Sequence, residues 1–257
     1  MQSNKDFKKE MNSISSNEDS HLPVEMLIDD CLIYIFELLT IPECIIIERV
    51  SKRWKDVVSQ CLSKFKALDI NSQYLVLNFH HEKNYFACHL TDKVLKRFGR
   101  QLEKIYCSGK MSVDIIKNLS NNCENLSELV VKCELIKKFE KELGKLFSNN
   151  KKLQVVNFQK FHCSVDCLMK LSLDNMITIK ITSDYGKNKI DDFTKVLEQT
   201  KLLSKLQCQI FHDKILTTLK NTCTHLTELV LIGSDKVVDD IDKKLLQVFR
   251  IDRGMNE

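Results

Sequence analysis

Apolar residues follow two different rhythms along this chain. In the first, Leu27, Leu32, Ile35, Phe36 and Leu39 recur at three- and four-residue steps, which places them on one helix face. Asp29 and Asp30 stand ahead of that run, where an N-cap and a first-turn acid suit a helix start. Pro42 interrupts the pattern, because it has no N–H to donate and steers Ile41 away from helical angles. Glu43 is expected to open a second short helix carrying Ile46, Ile47 and Val50 on its face. A third is expected near Ser51, with Trp54, Val57 and Val58 on one side. Three helices of about 30 residues together are too few to bury a sufficient core. Part of this apolar surface is therefore expected to pack on another domain or another protein.

From Phe65 onward the rhythm becomes apolar-x-x-apolar-x-apolar, each copy preceded by an amphipathic helix. The copies are Leu102-x-x-Ile105-x-Cys107, Leu126-x-x-Leu129-x-Val131, Leu153-x-x-Val156-x-Phe158, Met176-x-x-Ile179-x-Ile181, Leu203-x-x-Leu206-x-Cys208 and Leu226-x-x-Leu229-x-Leu231. Their starts are 24, 27, 23, 27 and 23 residues apart. An earlier copy, Phe65-x-x-Leu68-x-Ile70, precedes Leu102 by 37 residues, so residues 71–90 read as an insertion or an irregular first repeat. One strand-and-helix unit cannot cover its own apolar face, but stacked neighbours share a continuous core. The helices carry matching faces: Val94, Leu95 and Phe98; Ile115, Ile116 and Leu119; Phe139, Leu143, Leu146 and Phe147; Phe193, Val196 and Leu197; Ile215, Leu216 and Leu219. A last helix, Val237 to Phe249, is expected to close the open end.

The step length resembles that of leucine-rich repeats, whose period is roughly 20–29 residues. Asn122-Cys123-Glu124-Asn125-Leu126 and Thr222-Cys223-Thr224-His225-Leu226 add a Cys-x-x-Leu that resembles the cysteine-containing class of those repeats. The fold expected is α/β: three N-terminal helices, then a short solenoid with a curved parallel sheet and helices outside. Residues 1–20, rich in charge, Ser and Asn, are expected to be disordered. The helical segment spans 21–64 and the repeats 65–257.

Side chains alternate along a strand, so residues between the inward ones face the concave side. They are Lys104 and Tyr106, Glu128 and Val130, Val155 and Asn157, Thr178 and Lys180, Lys205 and Gln207, Glu228 and Val230. Charged residues mixed with exposed apolar ones suit a protein interface.

Composition narrows the function classes. Of 257 residues, 39 are basic and 35 acidic, and the net charge of +4 gives no strong nucleic-acid signal. No apolar run reaches the ~18 residues of a membrane-spanning helix, and the N-terminus lacks a secretory signal core. Two prolines and six glycines are too few for a tight-turned β-sandwich and suit a helix-rich repeat. Eleven cysteines, an odd number mostly inside apolar patterns, read as reduced and buried thiols of a cytosolic or nuclear protein. His80, His81, Cys88 and His89 lie close in sequence, but adjacent pairs point apart on a strand, so no metal is expected. Cys163 and Cys167, four apart with His162 nearby, are expected to face the core of a helix. No cofactor and no catalytic constellation are expected.

The first segment carries a second resemblance. Ile35-Phe36, Leu39, Pro42, Val50, Arg53 and Trp54 resemble the F-box, and Leu27-Ile28-Asp29-Asp30-Cys31-Leu32 matches its opening, with Ile28 where the family has proline. The F-box docks a chain onto the Skp adaptor of a cullin–RING ubiquitin ligase. The resemblance implies adaptor contacts from Leu27, Leu32, Ile35, Phe36, Leu39, Pro42, Val50 and Trp54. It implies cullin and RING partners through the adaptor, a protein substrate on the repeats, and no enzyme in the chain itself. The alternative expectation is a non-ligase scaffold built on the repeats.

Overall fold

The computed structural model describes residues 26–39, 41–64, 66–71, 83–109, 111–182, 190–209, 212–232 and 249–252. The chain forms two compact units, residues 1–61 and 62–257.

The first unit contains α1 (Asp29–Glu37), α2 (Ile41–Ile47) and α3 (Lys52–Ser63), whose last residues enter the second unit. Asp29 and Asp30 both fall in the first turn of α1, and the N-cap is Ile28, which makes no side-chain cap. Asp29 is instead held by the Arg53 guanidinium, with Nε and Nη2 at 2.8 and 2.7 Å from Oδ1. Arg53 Nη2 also donates to the carbonyl of Leu27, so one α3 side chain fixes the entry to α1. α2 begins at Ile41 rather than Glu43. Proline is tolerated in a first turn, where its missing N–H would have found no helical partner. Ser51 starts α3 as expected: its hydroxyl accepts the Trp54 N–H at 3.1 Å.

Leu32, Phe36, Cys44, Ile45, Val57, Val58 and Cys61 are buried. The Phe36 and Trp54 rings meet at 5.1 Å between centroids, tilted by 59°. The Cys44 thiol donates to the Phe36 carbonyl at 3.5 Å, and the Cys61 thiol to the Ile33 carbonyl at 3.7 Å. The face expected on α2 is reversed. Cys44 and Ile45 are inside, Ile47 is half-buried, and Ile46 and Val50 are exposed. The buried face is set by what packs on it: Cys44 meets the Phe36 backbone of α1.

The second unit is one parallel sheet ordered β1-β2-β3-β4-β5-β6-β7-β8. Its strands are β1 (Ala67–Asn71), β2 (Lys104–Ser108), β3 (Glu128–Val131), β4 (Val155–Phe158), β5 (Thr178–Ile181), β6 (Lys205–Cys208), β7 (Glu228–Ile232) and β8 (Phe249–Asp252). Between successive strands lie α4 (Lys83–Phe98), α5 (Val113–Asn122), α6 (Glu140–Asn149), α7 (Val165–Leu168), α8 (Ile190–Glu198) and α9 (Asp213–Thr222). Every crossover moves the sheet by one strand in one direction. Crossovers of one hand then put all helices on one face. The helices touch their neighbours in the same order, α4 through α9, as a second layer.

Register follows the sequence repeat without a slip. Leu68, Ile105, Leu129, Val156, Ile179, Leu206 and Leu229 align across the sheet, and all are buried. Two residues on, Ile70, Cys107, Val131, Phe158, Ile181, Cys208 and Leu231 form a second buried row. A one-residue slip in any strand would expose its whole apolar set, which is why the pattern fixes the pairing. Mid-sheet, Phe147, Phe158 and Phe161 stack, with centroids 5.9 and 5.4 Å apart.

The third residue before each repeat's first apolar position faces the junction between helix row and sheet. It is Gly99, Cys123, Asn150, Leu173, Thr200 and Cys223 in turn, and all six are buried. Asn150 and Cys223 close backbone groups of the neighbouring unit, while Thr200 Oγ1 donates within its own, to the Leu197 carbonyl at 2.9 Å. Asn150 Oδ1 accepts the Leu126 N–H at 2.8 Å, and its Nδ2 donates to the carbonyls of Cys123 and Leu146 at 3.0 and 2.8 Å. The Cys223 thiol donates to the Thr200 carbonyl at 3.5 Å. Of the two Cys-x-x-Leu copies, Cys223 ties one repeat to the next through its thiol, while Cys123 fills the same buried position. At Gly99 an added Cβ would stand 2.7 Å from the Asn122 carbonyl oxygen.

Three expectations change here. Residues 83–98 form a regular helix between β1 and β2, as in the other repeats, while residues 72–82 lie outside the described residues. Cys88 and His89 sit on that helix rather than on a strand, while His80 and His81 lie outside the described residues. Phe249 is not the end of a helix but the first residue of β8, paired in parallel with β7; residues 237–248 lie outside the described residues. The segment expected to be disordered, 1–20, also lies outside them.

Candidate functional site

Among the described residues two surfaces present side chains outside the core, one in each unit. On the first, α1 is apolar on two sides. Leu32 is 0% exposed and Phe36 is buried beside it, whereas Ile28, Cys31, Tyr34, Ile35 and Leu38 stand in solvent. At 100° per residue the exposed five span an arc of about 120°. Leu38 is 74% exposed, and Val50, past the end of α2, is 63% exposed. These large apolar side chains form an exposed stripe rather than scattered surface hydrophobes.

The positions implied by the F-box resemblance divide between core and surface. Ile35 and Val50 are exposed, Leu27, Leu39 and Trp54 half-buried, and Leu32 and Phe36 fully inside. The Pro42 side chain lies outside the described residues. Leu32 and Phe36 make the core that holds α1, because their face is turned toward Cys44, Trp54 and Cys61. Sequence reasoning missed Ile28, Tyr34 and Leu38. The signal was there: a helix whose non-core side carries Ile, Tyr and Leu has more apolar surface than one core needs.

The second surface is the sheet face away from the helices. Lys104, Glu128, Val155, Thr178, Lys205 and Glu228 align in one row across β2–β7. Tyr106, Val130, Asn157, Lys180, Gln207 and Val230 align in the next. All twelve expected face residues thus lie side by side, at the ~4.8 Å interstrand spacing. Lys104 and Lys205 are exposed, while Val130, Thr178 and Val230 are buried by taller neighbours, and the rest are half-buried.

Charges on this face are closed toward both ends. Lys104 pairs with Glu128 at 3.5 Å, and Lys205 with Glu228 at 3.0 Å, each across neighbouring strands. The Tyr106 hydroxyl donates to Glu128; desolvation first, and then that carboxylate, push its pKa above the ordinary value.

The buried thiols are inert by environment. Burial pushes Cys123 up to about 12, and burial followed by Cys163 and Glu140 does the same to Cys167. Cys163 and Cys167 are both core residues, as expected, but not through helical spacing: α7 begins at Val165, and Cys163 precedes its N-cap Ser164. Among the described residues no three His, Cys, Asp or Glu side chains converge as a metal site. Among the same residues no helix is long and apolar enough to cross a membrane.

No family model matches this chain, and no curated protein does. Among solved structures it is similar to the tropomodulin C-terminal domain of Caenorhabditis elegans, with a TM-score of 0.40 and 12% identity. That match covers 73% of this chain and 93% of the other. It is also similar to leiomodin-1 actin-binding site 2, with a TM-score of 0.36 and 11% identity over 65% of this chain and 86% of the other. Scores this low carry no argument about fold or function; the strand register itself defines the architecture.

Proposed function

We propose that this chain is a non-catalytic adaptor that binds one protein through the helical unit and another across the open sheet face. The observation that carries the reading is the second apolar stripe of α1, exposed at Ile28, Tyr34, Ile35 and Leu38 while Leu32 and Phe36 fill the core behind it. A helix that presents such a stripe suits a groove of a partner protein. The resemblance of residues 27–54 to the F-box gives that partner as the Skp adaptor, and through it the cullin and RING subunits of a ubiquitin ligase. The open face would then hold a substrate near the ubiquitin-charged enzyme, so the rate gain comes from proximity. The solenoid class that fits the 23–27-residue steps is the leucine-rich repeat.

The test is co-purification of the full chain with the Skp adaptor and the cullin, both co-expressed. Ile35→Asp with Leu38→Asp places two charges on the stripe without touching the core. Adaptor recovery is expected to fall about tenfold or more, as loss of central apolar anchors does, with an unchanged urea midpoint. Adaptor recovery equal to wild type in that double variant overturns the reading. Ile28, standing where the family has proline, favours a second reading, a scaffold outside any ligase. Recovery of the adaptor without the cullin would select it.

A further inference from the structure

We propose that the middle of the open sheet face is a carboxylate-binding station for an acidic segment of a partner protein, with Lys180 as its anchor. The rows across β2–β7 hold three lysines, 104, 180 and 205, and two glutamates, 128 and 228. Lys104 and Lys205 are each neutralised by a glutamate on the adjacent strand. That leaves Lys180, half-buried on the fifth of eight strands, with no ion pair or hydrogen bond from its side chain among the described residues. Within β2–β7 the surplus charge therefore sits on β5, between the two ion pairs, while the same row continues to Asp69 on β1 and Arg250 on β8.

The groups around Lys180 are also unused. Asn157 and Gln207 flank it in register, on β4 and β6, and the side chain of neither makes a hydrogen bond among the described residues. Thr178 lies two residues earlier on β5, hence on the same face. Only 8% of Thr178 is exposed, and its hydroxyl has no hydrogen-bond partner there either. A buried hydroxyl without a partner is costly unless something supplies one. One ammonium, two amides and one hydroxyl on a patch about 10 Å wide match the acceptors of an Asp or Glu side chain and its backbone. Val155, half-buried beside them, offers apolar contact to a residue next to that acid.

This inference rests on reading the open face as a protein-binding surface, and is independent of what α1 binds. The probe is capped decaglutamate, titrated into the full chain while the side-chain amide resonances of Asn157 and Gln207 are followed by NMR. Saturable shifts are expected at both amides. Lys180→Gln is expected to weaken binding about fivefold, the size of one half-exposed charged contact. Thr178→Val, which removes the hydroxyl while keeping the shape, is expected to weaken binding about twofold at an undiminished urea midpoint. No shift at millimolar peptide, equal affinity in Lys180→Gln, or equal shifts with decalysine overturns the proposal. Stronger displacement by an oligouridylate would assign the patch to nucleic acid, and a dimer lost in Lys180→Gln would assign it to a second copy; either overturns it. Failure here leaves adaptor capture by α1 intact, and failure of adaptor capture leaves this station intact.

Discussion

Replacing Asn150 by alanine removes a side chain that holds two repeats together. Asn150 is 0% exposed and makes three side-chain hydrogen bonds, to the Leu126 N–H and to the carbonyls of Cys123 and Leu146. At a net ~0.5–1.5 kcal/mol each, the three are worth about 3 kcal/mol. The Leu126 N–H is the critical partner. It faces the interior, and water cannot replace Oδ1 without opening the junction between helix row and sheet. With a urea slope of about 2 kcal/mol/M, the midpoint is expected to fall by roughly 1.5 M. Far-UV circular dichroism in urea measures this. Asn121→Ala is the control: its side chain only accepts an exposed contact from Lys145 Nζ, so its effect should stay within about 0.5 kcal/mol. Asn150→Asp tests the donor side separately. The carboxylate still accepts from Leu126 but turns negative charge toward two carbonyls, so at neutral pH it should be at least as damaging as alanine. Burial would raise that carboxyl's pKa, so its stability should recover as pH falls and be lost as pH rises through it. A midpoint loss in Asn150→Ala no larger than in Asn121→Ala refutes the reasoning.

Further outcomes follow from the same packing. Gly99→Ala sets a Cβ 2.7 Å from the Asn122 carbonyl; overpacking of this kind should cost about 1–3 kcal/mol, read by thermal unfolding. Leu32→Ala should cost about 2–5 kcal/mol in the helical unit, since the side chain is wholly buried. Cys123 and Cys167 should resist a thiol reagent until the chain unfolds, while exposed Cys31 reacts at once. Their folded pKa values, raised from 9.0 to about 12, mean that the folded state keeps protons the unfolded state loses. Stability should therefore be full below pH 9 and decline from 9 toward 12, less steeply in Cys123→Ala.

The sequence by itself determined the repeat. Steps of 23–27 residues and one strand grammar placed Leu68, Ile105, Leu129, Val156, Ile179, Leu206 and Leu229 in register, because a strand's period of two allows no other burial. The same alternation named all twelve open-face residues from Lys104 to Val230. What it could not weigh was which polar residue serves which end. Lys104, Lys180 and Lys205 are alike in sequence, yet only the strand order puts a glutamate beside two of them and none beside the third. Nor could helical spacing choose between the two apolar sides of α1. Leu32 and Phe36 went inside and Ile35 and Leu38 outside because Cys44, Trp54 and Cys61 arrive on one side only. Period is a local property of the chain, but which face finds a partner depends on residues far along it, and that is decided only when the elements pack.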